Sequence, residues 1–128
     1  MELWRTLDRL GRGVAELLKP EQLTPTQYNV LRILRGAPAG LACGEVAGRT
    51  INRDPDITRL LDRMERAGLI HRERLASDRR TVITRITPAG TDLLARLDAP
   101  VRALHQRQLG HLGEERLQRL RELLHLAG

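Results

Sequence analysis

The sequence predicts a mainly α-helical fold with one small β-hairpin. Leucines recur at spacings of three and four residues over most of the 128 positions, which is the spacing of one apolar helix face. Only residues 69–75 and 81–87 change to a period of two and are rich in β-branched side chains, the pattern of two paired strands. The chain contains no phenylalanine, so aliphatic side chains, chiefly leucine, must fill the core.

Length and composition indicate one folded domain. Hydrophobic residues make up 41% and charged residues 30% of the chain, a balance that excludes intrinsic disorder. No apolar run approaches the roughly 18 residues that a membrane span requires, and no signal-peptide pattern opens the chain. Cys43 is the only cysteine, which excludes an internal disulfide and suits a reducing compartment. We therefore expect a cytoplasmic protein without a membrane partner.

Two helices are predicted at the start of the chain. The first covers residues 2–19, where leucine and valine form a short seam like that of a coiled coil. Gly11 and Gly13 each weaken it by about 1 kcal/mol relative to alanine, so this helix needs packing partners. The second helix begins with a capping box formed by Thr24 and Gln27, with a proline at its first position.

A helix-turn-helix is predicted in the middle of the chain. A short helix from about Cys43 to Arg49 is followed, after a few residues, by a helix over Asp54–Ala67. In the second helix Asp54 is placed to cap the start, and Pro55 suits the first turn. Gly68 can adopt the left-handed conformation that ends a helix.

Two further helices are predicted after the hairpin. Residues 76–80 form the polar turn between its strands, and Thr87 is placed to cap the next helix. Pro100 should kink or interrupt that helix. Gly110 and Gly113 predict a break, after which a leucine stripe defines a last short helix.

The positive charge is concentrated in the middle of the sequence. The formal net charge of +6 divides into +1 for residues 1–48, +4 for residues 49–87 and +1 for residues 88–128. A localised excess of this kind is typical of a surface that binds a polyanion. Arginine supplies 21 of the 22 basic residues, and its forked guanidinium suits contacts with phosphate and guanine.

The Asp54–Ala67 helix carries part of this charge on one face. Opposite its apolar stripe lie Arg59, Asp62, Arg63 and Arg66. One interpretation is contact with base edges or phosphates of DNA. The other is a solvated face of arginine–aspartate pairs, each worth only a few tenths of a kcal/mol. The basic turn of the adjacent hairpin favours DNA contact.

An ordered set of short motifs runs through this part of the chain and closes with a Thr-x-x-Gly sequence. The residues concerned are Leu23, Thr24, Gln27, Leu31, Thr58, Arg59, Leu60, Asp62, Arg63, Ala67, Gly68, Leu69, Ile70, Arg72, Asp78, Arg79, Arg80, Ile86, Thr87 and Gly90. Together with the order of helices and strands, the set resembles the MarR family of bacterial winged helix-turn-helix transcription regulators. The resemblance covers roughly residues 23–95, and the outer helices agree with it by pattern.

The resemblance implies a homodimer in which residues 1–128 form a single MarR-like domain. Its winged helix-turn-helix core is expected at about residues 24–90, with dimerisation helices at about residues 2–19 and 88–126. The leucine stripes of the outer helices need a partner, and a second copy is the simplest one. The predicted dimerisation residues are Leu3, Leu7, Leu10, Leu104, Leu117, Leu120 and Leu124.

The resemblance also implies how the protein binds double-stranded DNA. The Asp54–Ala67 helix is the recognition helix of the major groove, Arg80 of the wing enters the minor groove, and Asp78 matches a wing aspartate that pairs with an arginine. The predicted DNA-binding residues are Arg53, Asp54, Asp56, Thr58, Arg59, Asp62, Arg63 and Arg66 in the recognition helix, and Arg72, Asp78, Arg79 and Arg80 in the wing.

Two features depart from the family's pattern. Asp56 and Asp62 place carboxylates on or near the DNA-facing side, where they repel phosphate unless they pair with Arg59 or Arg66 or accept from cytosine amino groups. Cys43 lies near the start of the third helix, whereas the family's peroxide sensors carry their reactive cysteine in the first. This position argues against thiol-based sensing.

The predicted function is that of a sequence-specific transcription regulator, usually a repressor, which binds a pseudo-palindromic operator as a homodimer and is released by a small-molecule effector where one exists. The alternative is a winged-helix protein–protein interaction module without DNA sequence preference. Histidine spacing suits no metal site, and no phosphate loop or nucleophile motif is present, so no cofactor or catalytic residue is predicted. Trp4 and Tyr28 belong to the core, the interface or an effector pocket.

Overall fold

The computed structural model describes residues 1–51 and 55–128, so Arg53 and the expected helix cap Asp54 lie outside the described residues. Contacts divide the chain into two compact units. The core unit is Leu18–Leu97, and the flanking unit is Met1–Leu17 together with Asp98–Gly128. The predicted winged-helix core, residues 24–90, falls within the core unit.

The described elements follow the predicted order of helices around a hairpin. They are α1 (Glu2–Leu18), a 3-10 turn (Lys19–Glu21), α2 (Pro25–Arg35), β1 (Leu41–Ala42), α3 (Cys43–Arg49), α4 (Ile57–Arg66), β2 (Ile70–Arg74), β3 (Val82–Ile86), α5 (Pro88–Leu109), a second 3-10 turn (Gly110–Leu112) and α6 (Gly113–Ala127). The mainly α fold class with a β-hairpin wing is confirmed.

The sheet has three strands rather than the predicted two. β3 lies between β1 and β2, and both pairings are antiparallel. β1 pairs Leu41 with Thr84 and Ala42 with Ile83. A strand of two residues is too short to show an alternating pattern, so β1 could not be predicted from periodicity. Gly40 precedes β1 with φ +90°, a conformation that glycine adopts without steric cost.

The starts of α2 and α3 depend on side chains that accept from the backbone. Thr24 Oγ1 accepts from the Gln27 N–H at 3.2 Å and Gln27 Oε1 from the Thr24 N–H at 3.0 Å, which confirms the predicted capping box. At α3 only half of that arrangement exists, because Ala42 has no side-chain acceptor; Glu45 Oε1 accepts from the Ala42 N–H at 3.1 Å. Val46 then packs α3 into the core.

The helix that follows starts later than predicted. α4 begins at Ile57, and Pro55 and Asp56 lie in a turn before it, with no capping hydrogen bond from Asp56. Proline sets only its own φ, so the first helical turn forms where the apolar stripe begins to pack. The C-terminal end of α4 agrees with the prediction, because Gly68 has φ +76°, the left-handed conformation that ends a helix. There the Leu69 N–H donates to the Met64 carbonyl at 3.0 Å.

α5 is joined closely to the end of α4. Thr87 Oγ1 accepts from the Gly90 N–H at 3.1 Å, which confirms the predicted cap, and donates to the Gly68 carbonyl at 2.6 Å. Pro100 was predicted to kink or interrupt the helix, and it does not interrupt α5, which runs unbroken from Pro88 to Leu109. Burial of Leu97 before the proline and Val101 after it offsets the hydrogen bond that proline removes.

In the flanking unit, α1 packs against the C-terminal part of α5. Gln108 Nε2 donates to the Leu10 carbonyl at 3.2 Å, and a Cβ at Gly13 would approach Leu104 Cδ1 at 3.5 Å and the end of the Gln108 side chain more closely still. This close approach accounts for the helix glycine at position 13, whereas nothing surrounds Gly11. Among the described residues, no helix has both the length and the apolar character to span a bilayer.

Candidate nucleic-acid interface

α4 has two faces with opposite chemistry. Leu60, Leu61 and Met64 are buried in the core unit. At about 100° per residue, Arg59, Arg63 and Arg66 fall on the opposite side of the helix, and all three are exposed. We call these three residues the arginine face. A short helix that is anchored by one face and presents guanidinium groups on the other has the shape and charge that fit a DNA groove.

The arginine face is largely free of internal partners. In the part of the chain that the structure describes, Arg63 and Arg66 make no ion pair or side-chain hydrogen bond. Arg59 Nε lies 3.8 Å from Asp56 Oδ1, and these side chains are 74% and 63% exposed. An exposed pair at this distance adds little stability. The guanidinium groups are therefore available to an external anion.

Asp62 lies beside the arginine face but is paired with the neighbouring strand. Its Oδ1 forms an ion pair with Nη2 of Arg72 on β2. Glu65 binds the same arginine three times: its Oε2 accepts from the Arg72 N–H at 2.7 Å, and its Oε1 accepts from Nε at 3.3 Å and from Nη2 at 3.1 Å. We call Asp62, Glu65 and Arg72 the Arg72 cluster. The pairing of Asp62 with Arg59 or Arg66 that its position suggested is replaced by this one.

The cluster perturbs the pKa values of its members. The hydrogen bond from the Arg72 backbone is the main cause that lowers the pKa of Glu65, with further lowering by the guanidinium. Burial by itself lowers the pKa of Arg72, but hydrogen bonds to Asp62 and Glu65 outweigh it, so that its pKa is raised. The Arg72 side chain is only 20% exposed, and all its charge-assisted bonds are internal. Among the described arginines of the predicted wing contacts, Arg72 is thus bound internally, whereas Arg79 and Arg80 are exposed.

The wing, formed by β2, β3 and the turn between them, has a tip held by its own hydrogen bonds. Asp78 Oδ1 accepts from the Arg80 N–H at 3.0 Å and its Oδ2 from Thr81 Oγ1 at 3.0 Å. The arginine that steadies the turn is Arg74, whose Nη1 donates to the Arg79 carbonyl at 2.7 Å. Asp78 thus binds the backbone of the turn and the Thr81 hydroxyl rather than an arginine side chain, which differs from the expected pairing.

The two arginines at the wing tip are exposed. Within the described ranges, the guanidinium groups of Arg79 and Arg80 contact no carboxylate and donate no hydrogen bond. On β3, by contrast, Arg85 Nη1 forms an ion pair with Glu73 of β2, and its Nε donates to the Ala39 carbonyl at 3.2 Å. The wing therefore combines internally paired arginines along its strands with unpaired arginines at its tip.

The remaining predicted residues are distributed over both units. Thr58 is exposed in the first turn of α4. Cys43 is half-buried at the start of α3, Tyr28 is buried in the core unit, and Trp4 is 74% exposed in the flanking unit. Among the described residues, no group of three or more histidine, cysteine, aspartate or glutamate side chains is placed to hold a metal ion.

Five side chains in these networks were not among the predicted site residues: Glu65, Glu73, Arg74, Thr81 and Arg85. Glu65 lies three residues after Asp62 and seven before Arg72 in the sequence. This spacing brings Glu65 to Arg72 only because the chain reverses direction at Gly68, so the spacing alone does not predict the contact. Glu73 and Arg85 could have been suggested by opposite charges on two predicted antiparallel strands, since such pairs meet across a hairpin.

Comparison with known proteins gives a consistent result. The MarR family model matches residues 23–82. A MarR transcription factor from Planctomyces limnophilus is 43% identical, over 97% of this chain and 90% of that protein, with a TM-score of 0.76. The transcriptional repressor CouR, whose structure was solved on a 23-mer DNA duplex, is 34% identical over 98% and 89% of the two chains, with a TM-score of 0.86.

A more distant structure shares the fold. Bordetella bronchiseptica BpsR, whose DNA binding is regulated by 6-hydroxynicotinic acid, is 22% identical over 98% of this chain and 89% of that protein, with a TM-score of 0.87. The family match, the identities to two transcription factors and the exposed arginines of α4 and the wing agree. The chain belongs to the MarR family and is a DNA-binding transcription regulator.

Proposed function

We propose that this regulator is a homodimeric repressor that binds a pseudo-palindromic operator through α4 in the major groove and the wing tip in the minor groove. One observation carries the proposal. Arg63, Arg66, Arg79 and Arg80 are exposed and have no internal partner among the described residues, whereas Asp62 beside them is paired with Arg72, which also binds Glu65. The surface formed by α4 and the wing tip thus keeps its positive charge for an external polyanion.

The side chains divide into contacts and supports. The arginine face and Thr58 contact base edges and phosphates in the major groove, and Asp56 lies in the turn before α4. Arg53 and Asp54 stay predicted contacts from the sequence, since they lie outside the described residues. Arg80 enters the minor groove, whose negative potential attracts arginine, and Arg79 binds phosphate. The supporting residues do not contact DNA themselves, since their charged groups are occupied by internal bonds; they are Arg72, Asp62 and Asp78.

The homodimer is supported by apolar side chains on the flanking unit. Leu3, Trp4 and Leu7 of α1 are 59%, 74% and 51% exposed, and Leu124 and Leu126 of α6 are 53% and 81% exposed. Of the predicted dimerisation residues, Leu3, Leu7 and Leu124 are exposed, Leu10, Leu117 and Leu120 half-buried and Leu104 buried. A second copy would cover the exposed ones and place two recognition helices about one helical turn, roughly 10 bp, apart.

A small-molecule effector would release the DNA by favouring a dimer with a different spacing of the two recognition helices. Such an effector must bind the two spacings with different affinity, because only differential affinity shifts a population. Because its proposed partner is DNA, we expect the protein to act in the bacterial cytoplasm. A regulator that acts by binding DNA needs no catalytic residue.

The test is selection of binding sites from a randomised duplex library, followed by titration of the enriched duplex against salt. We expect an inverted repeat with half-sites one helical turn apart, and an affinity that falls steeply with salt because arginines displace counterions. An affinity that does not change with salt, or a library without an enriched sequence, would contradict the proposal.

The alternative of a protein-interaction module loses much of its support. It depended on Asp56 and Asp62, whose carboxylates were expected to repel DNA. Asp62 is bound to Arg72, and Asp56 lies next to Arg59. The selection experiment separates the two functions, because an interaction module should enrich no sequence even at low salt.

A further inference from the structure

We propose that Arg72 is a positioning residue for DNA binding, which ties the wing to the recognition helix and so determines where the wing-tip arginines reach. The inference rests on the proposed function. It assigns to Arg72 a role other than the direct DNA contact that its place in the sequence suggested. Asp62 and Glu65 are the anchors through which it acts.

The Arg72 cluster joins the two elements that the proposed function assigns to different grooves. Asp62 and Glu65 lie three residues apart, on the flank of α4 between its buried and its arginine face. Arg72 lies in the middle of β2, the strand that leads to the wing tip. One guanidinium therefore binds two carboxylates of the helix, and the planar fork of arginine suits such a bridge.

Glu65 also binds the backbone of the strand. β2 is an edge strand whose only partner in the sheet is β3 among the described elements. The Arg72 N–H points away from β3 and donates to Glu65 Oε2 at 2.7 Å, so the carboxylate pairs a backbone donor at the open edge. Because backbone and side chain of the same residue bind α4, β2 cannot slide or rotate against the helix without losing several hydrogen bonds together.

The constraint extends from Arg72 to the wing tip. β2 pairs with β3 from Ile70–Ile86 to Arg74–Val82, and beyond this ladder the Leu75 N–H donates to the Thr81 carbonyl at 3.0 Å. The turn is then held by the bond from Arg74 to the Arg79 carbonyl. A displacement of β2 at Arg72 would therefore move Arg79 and Arg80 as one piece.

Loss of Arg72 would have a second effect on the arginine face. It would leave Asp62 and Glu65 without their cation, and Asp62 stands three residues from Arg59 and four from Arg66. At these helical spacings opposite charges pair, so the freed carboxylate would compete with DNA for the recognition arginines. A variant in which the carboxylates are also neutralised separates this electrostatic effect from the loss of positioning.

The experiment is a double-mutant cycle between Arg72 and Arg80, measured as affinity for a duplex that carries the selected site. Arg80→Ala in the wild-type background should lower affinity about tenfold. In the Arg72→Gln background we expect Arg80→Ala to lower the affinity for the duplex by about threefold or less, because Arg80 no longer reaches the minor groove. If Arg72 only stabilised the fold, Arg80→Ala would lower the affinity of the folded protein by the same factor with and without Arg72.

The matched control is Arg85→Gln. Arg85 is also a wing arginine in an ion pair, but its partners are Glu73 and Ala39 rather than α4. In that background Arg80→Ala should keep its full cost. The triple variant Arg72→Gln, Asp62→Asn and Glu65→Gln should show the same reduced cost of Arg80→Ala as Arg72→Gln alone, since neutral carboxylates do not restore the link.

Arg72→Lys provides a second measurement should Arg72→Gln fold poorly. Lysine keeps the positive charge but lacks the fork that reaches both carboxylates, so the cost of Arg80→Ala should be reduced there as well. If Arg80→Ala lowers affinity equally in wild type and in all four variant backgrounds, the inference is overturned and the proposed function stays intact. Full restoration of the Arg80→Ala effect by the triple variant would have the same consequence. Wild-type protein that binds no duplex would overturn the proposed function itself.

Discussion

Arg63 and Arg72 belong to neighbouring elements of the core unit and carry the same charge, yet they differ in every contact. Arg63 lies on the outer face of α4, exposed and without a partner in the described part of the chain, whereas Arg72 is mostly covered and bound to Asp62 and Glu65. Net charge alone therefore does not locate a DNA-binding surface. The position of the carboxylates decides which arginines remain available.

The largest expected effect concerns the unpaired arginines. Arg63→Ala should weaken binding to the selected duplex by about 10- to 100-fold, because one groove contact is worth roughly 1–3 kcal/mol. The free energy of unfolding should stay within about 0.5 kcal/mol of wild type, since an exposed side chain without partners is removed. Binding titrations and urea denaturation measure the two quantities.

Arg102→Ala is the control for that comparison, because Arg102 is an exposed arginine of α5 outside the predicted DNA surface. The same charge is lost, but affinity should change only slightly. If the two variants lose affinity equally, the effect comes from net charge and the arginine face has no special role.

The second prediction concerns Arg72, the paired arginine, whose loss should affect the stability of the fold, unlike the loss of Arg63. Arg72→Ala should lower the free energy of unfolding by about 1–2 kcal/mol, because Asp62 and Glu65 lose the guanidinium that binds them both. The backbone N–H at position 72 can still donate to Glu65, and the partial exposure of the cluster limits the cost further. Urea denaturation compared with Arg63→Ala provides the measurement. Equal stabilities of the two variants would contradict the distinction between contact and support.

A smaller effect is expected on β3, directly opposite Arg72. Thr84 pairs with Arg72 in the sheet register, is fully buried, and its Oγ1 has no hydrogen-bond partner in the described part of the chain. Thr84→Val should raise the free energy of unfolding by about 1 kcal/mol, since an unsatisfied polar group is removed from the interior. Thr81→Val serves as a control and should not stabilise, because the Thr81 hydroxyl donates to Asp78.

The smallest effect is the pH dependence that Glu65 contributes. The pKa of Glu65 is lower in the folded protein than its ordinary value of 4.5, chiefly because its carboxylate accepts from the Arg72 N–H. Its contribution to stability is present above that ordinary value and is lost as the pH falls through the lowered, folded-state pKa. Glu65→Gln should therefore lose less stability than wild type between neutral and acidic pH. Chemical denaturation as a function of pH tests this, and parallel profiles would count against it.

Much of the fold could be predicted from local sequence. The capping box of Thr24 and Gln27, the left-handed Gly68 and the Thr87 cap all involve residues within a few positions of each other, so the pattern and the structure coincide. The sequence pattern places the start of α4 at Asp54, earlier than the observed start at Ile57, because Pro55 permits a helix without requiring one. β1 was missed, because its only signal is a partner strand far along the chain.

The candidate site could be predicted in part. Charge counting located the basic segment, and helical periodicity placed Arg59, Arg63 and Arg66 on one face, as the structure has them. The same periodicity placed Asp62 near that face but did not reveal that β2 returns beside it with Arg72. Pairing across two elements depends on the turn at Gly68 and on the direction of the strand after it, neither of which a one-dimensional pattern contains.

The sequence by itself determined the kinds of elements, their order, the helix caps and the concentration of positive charge, because each of these depends on near neighbours and on composition. Only the tertiary structure decided which arginines are paired, that a third strand completes the sheet, and that α5 continues through Pro100. Each of these depends on contacts between residues of different elements, where burial and hydrogen bonding outweigh local preference.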